Sequence, residues 1–215
     1  MLDEVLQLLY YSGVVVTTPI TYLWNTIFEK TLIKGLYPAK VVVLGVAGGG
    51  YKTTLANNIS SRHGQCHQHI KLDDCLYRDN WVRNTPTQFN ENVRRKIDKS
   101  YGAYVVEGVY SDLKMPERNE LVDEIIGNSE LVVWLHLPIY ISLWRKLFRS
   151  FKRAINVTEQ GSCPEKWSNV RAMLKKTWYQ YDTRYKLLND MWEKQNYMDN
   201  SGKYVRVNWP YYFSN

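Results

Sequence analysis

Five short apolar runs, each with room for a helix before the next, constrain this chain more than any other feature. They are "KVVVLG" (Lys40 to Gly45), "HIKLD" (His69 to Asp73), "AYVVEG" (Ala103 to Gly108), "LVVWLHL" (Leu131 to Leu137) and "YVRVNW" (Tyr204 to Trp209). Most are unbroken rather than alternating, the signature of strands buried on both faces, and that burial is the habit of parallel sheets. The intervening stretches predict helices from Thr53 to His63, Thr87 to Ser100, Ile139 to Ala154 and Pro164 to about Tyr197. The expected fold is therefore α/β, with a parallel five-stranded sheet between two helical layers. A chain of 215 residues, 45% hydrophobic, can bury one sizeable core. We expect one domain over residues 39–215, preceded by a helical appendage over 1–38. The least regular stretches are Ser111 to Asn128, which has room for one short extra helix, and Ile155 to Cys163, which reads as a mobile loop.

The first strand runs into "GVAGGGYKTTLANNI", Gly45 to Ile59, and that junction carries the chemistry. Backbone N–H groups can wrap a phosphate only where side chains do not block the approach, hence the glycines. The helix that follows points its positive end at the same phosphate. In the pattern G-x-x-x-x-G-K-[ST] the lysine reaches the β- and γ-phosphates and the hydroxyl binds Mg²⁺. Lys52 and Thr53 fit those roles, Thr54 can support them, and Gly45, Gly48, Gly49 and Gly50 supply the loop. The register is imperfect. Tyr51 stands directly before the lysine, so either one residue is inserted or Tyr51 has replaced a glycine.

Phosphoryl transfer to a hydroxyl also needs a carboxylate to take the acceptor's proton and another oxygen donor for the metal. Asp73 and Glu107 stand at the C-terminal ends of two of the apolar runs, the edge at which ligands bind in an open parallel sheet. Asp74 is the neighbouring alternative, which strand alternation would point elsewhere. Along the helix after the fourth strand, Leu143, Leu147 and Phe151 recur every four residues, and Arg145, Arg149 and Arg153 recur on another face. One face is expected to pack while the other meets phosphate. Arginine's planar fork suits charge on a transferring phosphoryl group.

The segments "IKLDDCLYRDNWVRNTPTQF", "YVVEGVYSDL" and "LVVWLHLPIYISLWRKLFRSFKR" resemble three consecutive signatures of adenylate-kinase-like P-loop proteins, the group labelled DNA topology modulation proteins. The resemblance spans roughly Lys40 to Lys176. It implies a P-loop three-layer fold, nucleoside-monophosphate-kinase-like, with a small lid at about residues 145–165, and with ATP and Mg²⁺ as cofactors. By position, Lys52 and Thr53 match the P-loop and Asp73 the acid after strand two. Trp81 matches the acceptor-side tryptophan, Glu107 an Asp in the acid–glycine pair of strand three, and Arg145 and Arg149 the lid-proximal arginines. The chain departs from the group at Tyr51, in the extra segment near Met115 to Asn128, and in its first forty residues. The group's label names no reaction, so the resemblance constrains the fold more than the acceptor.

Composition narrows the setting. Of the formal charge of +7, the stretch Trp144 to Lys186 supplies eleven Lys/Arg against three Asp/Glu, which suits anionic ligands. Cys66, Cys75 and Cys163 are scattered and do not form a secreted disulfide framework, so a cytoplasmic setting is expected. Val5 to Phe28 carries no charge, but its polar residues, Pro19 and the preceding Asp3 and Glu4 make it a poor membrane span. Membrane contact through residues 5–28 is not favoured. The crowd of His63, Cys66, His67 and His69 looks zinc-like, yet strand alternation separates Cys66 from His67. The aromatics of "WYQYDTRY" are expected in the core or against the lid, and nucleic acid is not an expected partner. The sequence thus points to transfer of the γ-phosphoryl of ATP to a small acceptor, a nucleoside or nucleotide. The rival is a catalytically weakened nucleotide- or polyanion-binding module on the same fold.

Overall fold

The structure is a computed structural model that describes residues 38–46, 52–62, 67–78, 82–109, 116–154, 167–198 and 203–208. Every element below belongs to the unit Ala39–Trp209, the larger of two compact units into which the chain divides. In order along the chain they are β1 (Lys40–Gly45), α1 (Lys52–Arg62), β2 (Gln68–Lys71), α2 (Leu72–Leu76), α3 (Pro86–Asp98), β3 (Tyr104–Val109) and α4 (Pro116–Gly127). Then follow β4 (Leu131–His136), α5 (Ile139–Ala154), α6 (Trp167–Met198) and β5 (Tyr204–Asn208).

The five strands form one sheet in the order β2-β3-β1-β4-β5, and every pairing is parallel. The chain steps outward to β2, returns to place β3 beside β1, and then crosses to β4 and β5 on the other side. The order reverses at β1, and a crevice outside the strand ends at such a switch point is where an open α/β sheet binds ligands. On one face Val42, Leu44, Val106, Val132 and Trp134 pack with Phe89 and Val93 of α3, Ile125 and Ile126 of α4, and Leu188 and Trp192 of α6. The alternate residues Val41, Val43, Val105 and Val133 are also buried. Burial of both parities along one strand explains why the runs are unbroken in the sequence.

Helix α3 begins at Pro86, one residue before its expected start, for a local reason. Thr85 and Gln88 form a reciprocal capping box, and proline occupies the first turn, where its missing N–H costs nothing. The extra segment does form a helix, α4. Its twelve residues make it a full packing element that seats Leu121, Val122, Ile125 and Ile126 in the core. β5 is tied to α6 through Arg206, which donates to Tyr185 Oη at 2.9 Å and to Asn189 Oδ1 at 3.3 Å and lies 4.1 Å over the Trp134 ring.

Helix α5 departs from its expected packing. Among its described side chains the buried ones are Ser142, Lys146 and Ser150, whereas Leu143 and Leu147 are only half-buried. Thr177 of α6 accepts a 2.5 Å hydrogen bond from Lys146 Nζ. Further along α6, Tyr181 Oη donates to the Leu137 carbonyl just past β4 at 2.5 Å. Burial, chiefly, pushes the Tyr181 phenol up to about 12, so it keeps the proton it donates. The side chains of Arg149, Phe151 and Arg153, the stretch Ile155 to Cys163 and the segment Val5 to Phe28 lie outside the described residues. Among the described residues, no helix is long and apolar enough to cross a membrane.

Candidate functional site

The site grows from the end of β1. Gly45 is its last residue, and a β-carbon there would sit 3.2 Å from Lys52 Cδ and 3.4 Å from the Leu135 carbonyl. Glycine therefore lets the Lys52 stem fold back across the sheet edge. Lys52 is the first residue of α1 and only 6% exposed, deep burial for a lysine and one that calls for nearby negative charge. Glu107 of β3, also 6% exposed, supplies it.

Thr53 stands next to Lys52 in the first turn of α1, and its hydroxyl donates to Glu107 Oε1 at 2.6 Å. His69 of β2 brings Nε2 to 3.5 Å from the same oxygen. That distance is long for a hydrogen bond, so the Thr53 contact is the firmer of the two. Pairing of Lys71 with Glu107 and of His69 with Val105 sets the histidine one pleat back along the neighbouring strand, on the same sheet face. Burial pushes the Glu107 carboxyl up. The contacts from His69 and Thr53 and the Lys52 charge outweigh it and hold the group below the usual carboxylate range. An ionised carboxylate, a hydroxyl and an ammonium thus converge at the positive end of a helix, beside the switch point of the sheet.

Gly108, the partner of Glu107 in the acid–glycine pair, has a steric reason. A β-carbon there would lie 2.7 Å from Leu72 Cδ1 and 2.9 Å from Leu72 Cβ. The residue before Asp73 therefore sits directly over the residue after Glu107, which brings α2 to the same edge. Asp73 itself is placed differently from the expectation. β2 ends at Lys71 and the chain winds at once into α2, with Asp73 and Asp74 both exposed in its first turn. The alternation that would separate Asp73 from Asp74 does not apply in a helix. Acidic residues suit that turn, because they face the helix's unpaired N–H groups. Asn84, buried, closes the far end of α2 by donating from Nδ2 to the Cys75 carbonyl at 2.8 Å.

The structure thus brings together Gly45, Lys52, Thr53 and Glu107, and sets Asp73 at the adjoining helix. Thr54 is exposed on α1, and Arg145 is half-buried on α5. Gly48, Gly49, Gly50, Tyr51 and Trp81 lie outside the described residues, and of Arg149 only its place in α5 is described. His69 is the member that sequence reasoning missed. It was grouped with His63, Cys66 and His67 as zinc-like, and only the β2–β3 register shows that it belongs with Glu107. His63 and Cys66 lie outside the described residues, and among the described residues no group of three or more His, Cys, Asp and Glu could hold a metal ion. For Mg²⁺ the donor set is suitable: a hard hydroxyl oxygen and an ionised carboxylate oxygen 2.6 Å apart, the kind of ligand that ion takes from protein while water and phosphate complete its shell.

No protein-family model matches the chain, and no curated protein matches it. Among solved structures it is similar to a shikimate kinase from Acinetobacter baumannii in complex with shikimate, at 16% identity over 71% of this chain and 82% of that one, with a TM-score of 0.40. It is also similar to a gluconokinase from Sinorhizobium meliloti 1021, at 15% identity over 74% of this chain and 98% of that one, with a TM-score of 0.35. At these scores neither likeness bears on what this chain does. What the chain itself displays is an α/β fold with a five-stranded parallel sheet, and a cluster of buried Lys52, buried Glu107 and exposed Thr53 where β1 gives way to α1.

Proposed function

We propose that this protein transfers the γ-phosphoryl group of ATP to a small acceptor, a nucleoside or nucleotide. The observation that carries the proposal is the bond from Thr53 to Glu107 beside the buried Lys52, formed where β1 gives way to α1. The glycines Gly45, Gly48, Gly49 and Gly50 leave room for phosphate against the backbone. Lys52 directs its charge to the β- and γ-phosphates. Thr53 and Glu107 would hold Mg²⁺, which would supply positive charge to offset that of the phosphates. Asp73 takes the proton from the acceptor hydroxyl, and Arg145 and Arg149 on α5 meet the charge that develops on the group in flight. A phosphate acceptor is already ionised, and Asp73 then positions substrate instead.

A second reading keeps ATP binding without turnover. Tyr51 before the lysine and the basic stretch Trp144 to Lys186 favour it. The deciding experiment is an ATP-consumption assay over nucleosides, nucleoside monophosphates and other small hydroxyl compounds, with Lys52→Ala as the control. Acceptor-dependent consumption that vanishes in Lys52→Ala supports the kinase. If the protein binds ATP and consumes none with any acceptor, the kinase reading falls and the binding module stands.

A further inference from the structure

The stretch "WYQYDTRY" divides in the structure. Tyr181 is buried and Tyr185 half-buried, as core aromatics should be, but Trp178 is 57% exposed and Tyr179 is 69% exposed. On α5, Tyr140 and Trp144, one turn apart, are 65% and 57% exposed. On α6, Trp178 and Tyr179 share the exposed side with Arg171 and Lys175, whereas Thr177 and Tyr181 lie on the buried side. Water thus meets two adjacent aromatic rings on α6, set among cations rather than in a packed interface.

Their surroundings identify the ligand class. Between Trp167 and Lys186, α6 carries Arg171, Lys175, Lys176, Arg184 and Lys186 against the single acid Asp182. Arg171, Lys175 and Trp178 follow at successive turns, and Lys175 Nζ lies 5.8 Å from the centre of the Tyr179 ring. A helix that dips into lipid lays a continuous apolar stripe, leucine and phenylalanine beside tryptophan, on one side and keeps its cations on the other. The exposed side of α6 has no such stripe among the described residues: its two rings, Trp178 and Tyr179, stand among Arg171, Lys175 and Lys176. Flat aromatic faces with interleaved cations are what a single-stranded polynucleotide needs: bases stack on the rings and phosphates meet the ammonium groups, without regard to sequence. A duplex keeps its bases paired and offers no free face.

We infer that the exposed aromatic and basic side of α6 around Trp178 and Tyr179 binds single-stranded nucleic acid. This surface does not depend on the phosphate site at Lys52. The test is a fluorescence-anisotropy titration of a labelled 20-mer oligodeoxythymidine with the full chain, without ATP, at several salt concentrations. Binding should weaken as salt rises, and Lys175→Gln with Lys176→Gln should flatten that slope by about 0.7 per charge removed. Trp178→Ala with Tyr179→Ala should weaken binding about tenfold or more, since each stacked base is lost with its ring. Trp178→Phe with Tyr179→Phe should restore most of it, and all variants should keep the parent melting temperature because the positions are exposed. The inference is overturned by any of three results: no binding at low salt, equal affinity in the alanine variant, or capture by phosphatidylserine vesicles where the oligonucleotide is not bound.

Discussion

The sheet edge and the α5–α6 pair bury polar groups in opposite ways. At the edge, β1 and β4 are apolar on both faces, and the buried side chains of Lys52 and Glu107 meet the exposed Thr53 at one point. Between the two helices, Ser142, Lys146, Ser150 and Thr177 form a buried seam, while Tyr140, Trp144, Trp178 and Tyr179 face water. A charge is costly to bury, and its placement tells what it is for. The first arrangement concentrates charge where a ligand can use it. The second buries polar side chains between the helices and leaves aromatic rings outside.

Several substitutions would break or sharpen this contrast. The largest effect is expected at Asp73. In the proposed role of general base, Asp73→Asn should lower turnover about a hundredfold or more with ATP affinity nearly unchanged, because a base acts on the chemical step; steady-state kinetics beside a binding titration check it. Next comes Gly108→Ala. The new methyl would press on Leu72 Cβ as well as its tip, which cannot swing away, so a loss of about 1–3 kcal/mol is expected in urea unfolding.

A pH series separates Glu107 from the seam. Its folded pKa lies below the ordinary carboxylate value, so its contribution to stability is present above that value and is lost as pH falls through the folded one. Melting temperature followed from pH 7 downward should fall less in Glu107→Gln than in the parent. The smallest effect is expected at Lys146→Met. Thr177 keeps its 2.8 Å bond to the Met173 carbonyl when the amine is gone, so the change should stay within about 1 kcal/mol by urea unfolding. A loss several times larger would mean that the seam holds its helices as tightly as the edge holds its cluster.

How much of this was legible in the sequence follows the same division. The strands were readable because burial on both faces leaves unbroken apolar runs, and "KVVVLG" gave β1 at its observed bounds. That Lys52, Thr53 and Glu107 come together was readable because a glycine-rich turn and a strand-end acid stand at the same end of neighbouring parallel strands. Two features were not. His69 joins Glu107 through strand register, which no single strand encodes. On α5 the leucine spacing pointed to the wrong face, because the serines are buried and a lysine finds a hydroxyl of α6 there. Likewise, helical spacing alone could not tell that Trp178 and Tyr179 face water while Tyr181 does not.

The central claim is that Lys52, Thr53 and Glu107 form a Mg²⁺-dependent nucleotide phosphate site. Isothermal titration of a non-hydrolysable ATP analogue with Mg²⁺ into the parent protein and Lys52→Ala tests it directly. One-to-one binding in the parent that weakens when Mg²⁺ is withdrawn and disappears in Lys52→Ala is the expected result. Equal binding by the two proteins, or binding indifferent to Mg²⁺, would contradict it.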